Sequence, residues 1–557
     1  MQYNLKWYCN YSKVQYIYIF FIYILYFLLV SCSNKNNNYN KTIFRYNESS
    51  GIFTLDPAFA KDQAHTWITN QLFNGLVQLD ENLNVKPCIA HKWDISNDGK
   101  FYTFYLRKDV FFHPHKLFPQ GKGRKVVASD FEYSLKRLVD PTIASPGAWT
   151  MNYVARSKDN ELLINAINDT TLTITLSNPF PPFISILAMQ YCSVIPKEIV
   201  EYYGRDFRCN PVGTGPFMFK IWKEGVKLVL IKNPYYFEFD EHNIRLPYLD
   251  AISVTFITDK QTAFLEFMKG NLDIISGIDA SYKDELITRN GNLNPKYKGK
   301  IKMLSRPYLN TEYLGFLVDN TNSSNNNPLL NKKIRQAINY GFDRVKMIKY
   351  LRNNIGEPGL NGFIPKGMPG FDSTLKGYEY NTDKARQLLK EAGYPDGKGL
   401  PNIKLYTTSS YLDICEFIQY QLSEIGINLK IEVNQAATLR SMIAKSEVPF
   451  FRGSWIADYP DAENYLMLFY SPNFCPKGSN YTHFYNKDYD KLFEKANQER
   501  NDSIRFKLYR KMDEIIIEEA PVVILYYDRV LRFVKNNITG LVINPINLLD
   551  LRRVKKG

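Results

Sequence analysis

The sequence predicts a mixed α/β protein of more than one domain, and three stretches carry that reading. Residues 405–408, 411–425 and 428–433 alternate a β-rich run, a helical apolar period and a second β-rich run, which is a strand-helix-strand unit. Asn97-Asp98-Gly99 stands ahead of the alternating run Phe101-Tyr102-Thr103-Phe104-Tyr105-Leu106, the pattern of a hairpin turn leading into a strand. Pro521-Val522-Val523-Ile524-Leu525-Tyr526-Tyr527 is apolar throughout and reads as a buried strand. A chain of 557 residues has room for roughly two to four domains. With 45% hydrophobic and 23% charged residues it has the composition of a folded protein with a large core. Aromatics reach 15% and Asn is abundant; an A+T-rich coding bias contributes to such usage, so no single Tyr or Asn carries weight by itself.

The first segment stands outside the fold. Its only basic residues are Lys6 and Lys13, it has no acid, and residues 14–30 are almost wholly apolar before Leu29-Val30-Ser31-Cys32. That is the layout of a signal peptide with a small-residue cleavage site, and its last four residues resemble the bacterial lipobox. The resemblance implies cleavage before Cys32, diacylglycerol on the Cys32 sulfur and an acylated amino terminus; two or three chains anchor stably where one does not. The alternative is an uncleaved membrane helix, for which about 17 apolar residues is the lower edge of spanning length. Residues 33–41, rich in Asn with two Lys, form a polar flexible tether.

Losing residues 1–31 removes two of the 70 Lys and Arg and none of the 56 Asp and Glu, leaving a net charge of +12. A basic protein raises the question of nucleic acid. Here the basic residues are scattered among acids, with short clusters only at 122–125 and Arg552-Arg553-Val554-Lys555-Lys556, and no helix-turn-helix or zinc-finger pattern is present. Attraction to anionic lipid heads or acidic peptides is the consequence drawn, with no nucleic-acid partner. Once Cys9 and Cys32 are set aside, Cys88, Cys192, Cys209, Cys415 and Cys475 remain. They allow at most two disulfides, and no spacing among them specifies a disulfide or a metal site.

Taken in order, Leu55-Asp56-Pro57 breaks a strand, and a helix follows that ends at Gly75 in C-cap position. Pro87-Cys88-Ile89-Ala90-His91-Lys92-Trp93 precedes the hairpin, and Ala128-Ser129-Asp130-Phe131-Glu132-Tyr133-Ser134-Leu135-Lys136-Arg137 reads as a helix. Between them, His113 and His115 flank Pro114 on an extended segment and can point one way toward a metal, or simply sit in a surface loop; no partner Cys or acidic cluster accompanies them. Asn210-Pro211-Val212-Gly213-Thr214-Gly215-Pro216-Phe217 lacks the Walker Lys-Ser/Thr, and Pro216 removes an N–H a phosphate loop needs. Residues 320–327 form a polar Asn/Ser loop, 330–351 an amphipathic helix with Ile334, Ala337, Ile338 and Gly341 at core spacing, 383–392 a helix, and 488–518 another.

The stretch around which the rest is organised is Arg452-Gly453-Ser454-Trp455-Ile456-Ala457-Asp458-Tyr459-Pro460-Asp461-Ala462-Glu463-Asn464-Tyr465-Leu466. A small residue, an indole and a carboxylate within one turn offer a main-chain edge, a stacking wall and a fixed anion, which is what a positively charged ligand end needs. The run closely resembles the Gly-Trp-x-Ala-Asp-Tyr signature of the family 5 extracellular solute-binding proteins, the group of oligopeptide- and dipeptide-binding proteins of bacterial ABC transporters. The N-terminal order Leu-Asp-Pro, Leu-Phe-x-Gly-Leu, Pro-x-x-Ala-x-x-Trp and Asp-Gly-x-x-Tyr-Thr-Phe-x-Leu-Arg resembles the same family, as do the 128–137 run and Pro-Val-Gly-Thr-Gly-Pro. The likeness spans about residues 52–530. The chain departs from the family at 111–124, where most members have a short Asp-Gly turn.

The resemblance implies an α/β, two-lobed periplasmic binding protein-like fold (type II) with an extra inserted domain. Its template gives residues 1–31 as leader and 32–41 as tether, 42–77 with 207–305 and 525–557 as a discontinuous lobe I, 78–206 as the inserted domain and 306–524 as lobe II. It implies an extended peptide held between the lobes and delivered to ABC permease subunits, by a monomer anchored at the cell envelope and facing the periplasm or exterior. By resemblance Asp458 receives the peptide α-ammonium, Trp455 stacks, Ser454 offers main-chain bonds and Arg452 meets a short peptide's carboxylate. Lys61, Asp62 and Gln63 align with a strand that pairs with peptide from lobe I. Asp461 has no ligand role in the family. The alternatives are another solute such as nickel or haem, or, from a different class, a lipid-anchored surface adhesin. No Gly-x-Ser-x-Gly, His-Glu-x-x-His or deaminase spacing is present, the six His form no motif, and Asp458 with Asp461 lie too close in one turn for a glycosidase pair, so neither an enzyme nor a cofactor is expected.

Overall fold

The computed structural model describes residues 41–279, 281–319 and 327–557. The leader, Cys32, the tether up to residue 40 and the polar loop 320–326 lie outside the described residues. No helix among the described residues is long and apolar enough to cross a membrane.

Three sheets carry the molecule. In the first, Ile43–Asn47 pairs parallel with Ala251–Thr255, followed antiparallel by Lys227–Lys232 and Phe217–Lys223. The second is an antiparallel sheet in the order Ala90–Ile95, Phe101–Leu106, Thr171–Thr175 and Ile164–Asn168. Phe101–Leu106 alternates as its sequence predicts, with Tyr102, Phe104 and Leu106 buried, and Gly99 at φ +73° closes the hairpin turn where a side chain would be strained. The third sheet has seven strands, with Ile301–Phe316 and Val522–Lys535 antiparallel near its centre. Beyond them lie Phe450–Ile456, Ile403–Thr407 and Leu429–Val433, the last two parallel around the helix Leu412–Ser423.

The long strands, 16 and 14 residues, run from one body of the molecule to the other. The expected boundaries at 305/306 and 524/525 fall inside them. Their register shifts between Pro307 and Thr311 and again at Glu312, and such bulges bend a strand locally and re-aim its side chains. One apolar core joins the first two sheets, and two others cover the faces of the third. From the 457–469 segment only Tyr459 joins the first core, its ring 6.1 Å from that of Trp149.

Two motifs find their reason in one contact. Asp56 caps the turn Pro57–Phe59 by accepting from the Ala58 N–H, and its carboxylate forms a bidentate pair with Arg137 at 3.1 and 2.6 Å, where both side chains are buried. The Leu-Asp-Pro turn is thereby fastened to the helix Ala128–Arg137.

Four expectations are corrected. The helix after Asp56 is Gln63–Leu72, and Gly75 does not cap it. The Leu72 carbonyl is satisfied by the Gly215 N–H at 2.9 Å, and a Cβ on Gly215 would lie 2.4 Å from the Leu72 carbonyl carbon, so the Gly-Thr-Gly turn itself closes the helix. The single helix over 330–351 is two, Lys332–Tyr340 and Arg344–Leu351, because Asp343 caps the second by accepting from the Lys346 N–H. The single helix over 488–518 is Lys487–Gln498 and Asp502–Glu519, divided by the Asn501 cap. His113 is no surface residue. Its Nδ1 accepts from the Gly213 N–H at 3.3 Å and its Nε2 lies 3.0 Å from the Gly215 carbonyl, so one neutral tautomer satisfies both, and burial pushes its pKa down to about 4. His115 instead meets the Tyr203 hydroxyl at 3.1 Å.

The terminal basic cluster is spent inside the molecule. Arg552 pairs with Glu238 and Asp550, Arg553 with Glu241 and Lys556 with Asp273, while Arg124 of the other cluster is held by Asp130 and Glu198. Five thiols, Cys88, Cys192, Cys209, Cys415 and Cys475, are free.

Candidate functional site

The strand Phe450–Ile456 delivers the organising stretch against Ile301–Phe316, with Gly453 opposite Tyr313. Gly453 has no side chain because a Cβ there would lie 2.6 Å from the Tyr313 ring. The Ala457 N–H donates to the Leu309 carbonyl at 2.9 Å, and the chain then turns so that Asp458 faces a cavity of about 740 Å³. That volume lies in the range of small-ligand pockets, about 300–1,000 Å³.

The cavity walls come from both bodies. Lys61, Asp62, Gln63 and Asn70 line it together with Gln190 and Tyr191, with Ile456, Ala457, Asp458 and Tyr308, and with Asn544, Asn547 and Leu548 of the C-terminal segment. A groove of about 1630 Å³ along the helix Ala128–Arg137 is larger, but charges lining it are paired among themselves, as Asp56 with Arg137 and Arg124 with Asp130 and Glu198. Volume alone therefore does not choose the site.

Asn464, fully buried, organises the anion. Its Oδ1 accepts from the Asp458 N–H and from the Trp455 indole, both at 3.0 Å, and its Nδ2 donates to Asp458 Oδ2 at 3.1 Å. Asp458 is exposed to the cleft, and the cleft around it desolvates its carboxyl. That burial pushes its pKa up to about 6, against the lowering effect of the Asn464 bond. No cation of the protein pairs with it in the described residues. Tyr191 stands close enough to feel both Asp458 and Asp62, and its phenol is raised first by burial and then by these two carboxylates.

The expected site residues divide. Asp458, Lys61, Asp62 and Gln63 line the cavity together; Trp455, Ser454 and Arg452 do not. Lys61 to Gln63 form no strand. Asp62 is the N-cap of the helix Gln63–Leu72, accepting from the His65 N–H at 3.1 Å and meeting its Nδ1 at 2.6 Å. Burial raises the Asp62 pKa, but the His65 bonds outweigh it and the net shift is downward. Gln63 Oε1 accepts from Asn547 Nδ2 at 2.9 Å. Arg452 is turned to Glu312, which is buried, and its guanidinium lies over the Tyr411 ring. Asp461, also buried, accepts from Arg505 at 3.1 Å and Tyr509 at 2.6 Å.

Sequence reasoning gave no role to Asn464, Tyr191, Tyr308 or Asn547. Asn464 lies within the organising stretch, six residues past Asp458, where an amide reaching back across a turn is a recognisable pattern. The others arrive from distant segments and leave no local signal.

A two-lobed α/β body crossed by two long strands, with a carboxylate lining the cleft, defines a ligand-capturing protein of the type II periplasmic binding class. The chain belongs to the bacterial extracellular solute-binding proteins of family 5, whose middle-region model matches residues 84–474. Among curated proteins it is similar to the glutathione-binding protein GsiB of Salmonella choleraesuis, 27% identical over 504 residues, covering 89% of this chain and 91% of that one. GsiB of Escherichia coli K12 matches to the same extent. Among solved structures, the ABC transporter-associated periplasmic binding protein DppA of Helicobacter pylori, in complex with the peptide STSA, matches with TM-score 0.75 and 27% identity over 93% of this chain and 98% of that one. HbpA2 of Haemophilus parasuis matches with TM-score 0.77 and 25% identity over 92% and 100%.

Proposed function

We propose that this protein is the substrate-binding component of a peptide ABC importer, capturing short peptides by their α-ammonium group. The observation that carries the reading is Asp458: its carboxylate lines the cleft, Asn464 holds the residue at one carboxylate oxygen and at the backbone N–H, and no cation among the described residues pairs with it. The named relatives and neighbour support it, since glutathione and STSA are short peptides with a free amino group. Lys61 and the Tyr191 hydroxyl face the same cavity and supply donors to ligand carbonyls and carboxylates. Arg452 reaches a ligand carboxylate only by leaving Glu312, so this reading gives it the supporting role of holding the strand edge. The body formed by 42–77, 207–305 and 525–557 closes on 306–524 about the two long strands, with 78–206 carried as the inserted domain. Cys32 carries the lipid that holds the monomer at the membrane, beside the permease that receives its cargo.

Native mass spectrometry of protein purified without denaturation, followed by calorimetry with tri- to pentapeptides including glutathione, tests this. Retained peptides and saturable binding are the expected result. No binding of any peptide, with specific binding of a host protein, would instead favour a surface adhesin.

A further inference from the structure

Arg532, on the long strand Val522–Lys535, is fully buried, and its hydrogen bonds go to neutral groups. Nη2 donates to the Asn547 carbonyl and to Asn547 Oδ1, both at 3.0 Å, and to the Leu548 carbonyl at 3.1 Å. Its Nε and Nη1 reach no acceptor among the described residues, and the guanidinium carbon lies 5.0 Å from the centre of the Trp67 ring. The Trp67 indole in turn donates to the Asn547 carbonyl at 2.7 Å. Asn547 is thus gripped through both its oxygens, at φ +56°, a left-handed conformation that Asn tolerates.

An Arg side chain carries donors and no acceptor, so it decides which end of the Asn547 amide faces it. Oδ1 is turned to Arg532 and Nδ2 is turned away, where it donates to Gln63 Oε1 at 2.9 Å. The same constraint passes to Gln63: with Oε1 taken, Nε2 is the end left over, and it meets no acceptor among the described residues. Gln63 opens the helix Gln63–Leu72 and is exposed, and both it and Asn547 line the cavity that holds Asp458. A glutamine free to turn offers a ligand either an oxygen or an amide N–H. This one is held with its N–H end left for the ligand, and a cation at the far end of the chain polarises each bond in the same direction.

We propose that Gln63 is a specificity-determining residue that donates from Nε2 to an acceptor oxygen of the bound ligand, with Asn547 and Arg532 as positioning residues that hold it in that sense. The inference rests on the peptide reading of the cleft: Asp458 takes the ammonium end, and Gln63 takes an oxygen of the same molecule. A main-chain carbonyl and a terminal carboxylate share that chemistry. A ligand that brings an N–H to this position is disfavoured, because two donors face to face leave both unpaired.

Calorimetry of the mature full-length chain with Ala-Ala-Ala, as the free acid and as the C-terminal amide, tests this. Gln63→Glu keeps the acceptor that Asn547 needs and replaces the donor by an oxygen. The thermal midpoint should hold, since a carboxylate suits the first turn of a helix, while binding should weaken by about tenfold or more. If the ligand oxygen is the terminal carboxylate, the loss shrinks for the amide, whose N–H meets the new oxygen; if it is a main-chain carbonyl, both forms lose equally. Asn547→Asp keeps an oxygen on Arg532 but turns another toward Gln63, which then swings Nε2 to it and shows its own oxygen to the ligand, so binding should again fall by about tenfold. In a Gln63→Met background the same change should cost less than about twofold, because it acts through Gln63. Equal binding by the parent and a folded Gln63→Glu, with binding still dependent on Asp458, would overturn this inference and leave the peptide reading standing. So would an Asn547→Asp loss undiminished in the Gln63→Met background. Failure of the parent to bind Ala-Ala-Ala or any of the tri- to pentapeptides would overturn both.

Discussion

Asn464 grips Asp458 at two points, donating from Nδ2 to the carboxylate at 3.1 Å and accepting the Asp458 N–H on Oδ1 at 3.0 Å, while that same oxygen takes the Trp455 indole. The amide thus sets both the position of the anion and that of the aromatic beside it. Asn464→Ala leaves two donors without a partner, each costing about 1–3 kcal/mol when buried. The thermal midpoint should fall and peptide affinity drop by roughly tenfold or more, a factor of ten being about 1.4 kcal/mol. Calorimetry and thermal unfolding on the same variant check both.

Three acids set an unusual pH dependence. Burial raises Asp458 to about 6, Asp513 to about 7 and Glu463 to about 8, the last opposed by its Tyr459 bond. A raised carboxyl favours the protonated folded state, so its contribution is complete below the unfolded value near 4 and is lost as pH climbs through the folded value. The ligand-free protein should therefore lose thermal stability between about pH 5 and 8.5. Glu463→Gln, which keeps the neutral shape, should remove the loss at the alkaline end of that window; an unchanged midpoint curve in the variant would contradict this account of Glu463.

The His113 clamp should prove structural. His113→Ala strands the buried Gly213 N–H, while the Gly215 carbonyl keeps its bond from Asn233 Nδ2 at 2.9 Å, so the expected loss is that of one unpaired buried group, about 1–3 kcal/mol of stability. Denaturant unfolding measures it. Metal addition should leave the parent midpoint unmoved, since His115 faces Tyr203 and not the His113 ring's partners.

Lipid anchoring rests on Leu29 to Cys32 alone. Cys32→Ala should release the protein from membranes and abolish lipid labelling, whereas membrane retention at unchanged mass would argue for an uncleaved helix.

What was legible in the sequence was local. The hairpin at Asn97 to Gly99, the helix at 128–137 and the unit at 403–433 follow from turn chemistry and periodicity acting within a few residues. Helix breaks at Gly341 and at 499–501 were missed because apolar spacing runs on across them while Asp343 and Asn501 restart the hydrogen-bond ladder. In the site, Asp458 was legible from its turn and its family likeness. The pairing of Arg452 with Glu312 was not, since the two acquire their contact from a cross-strand register that no spacing encodes. Tyr191 and Asn547 reach the cavity from segments far from Asp458 in the chain for the same reason.

The central claim is that Asp458 holds a ligand ammonium, and its most direct test is calorimetry of one peptide, free and N-acetylated, against the parent and Asp458→Ala. Removing one partner of a desolvated charge pair costs about 2–5 kcal/mol, so the variant should bind the free peptide roughly 30-fold or more weakly. Acetylation should weaken binding to the parent to a similar degree and cost little further in the variant. Asp461 is unsuitable as the control because its loss would remove the acceptor of the buried Tyr509 hydroxyl and one of the two carboxylates that meet Arg505; the exposed Asp488 serves instead. Free and acetylated peptides bound equally tightly by parent and by a folded Asp458→Ala would contradict the account.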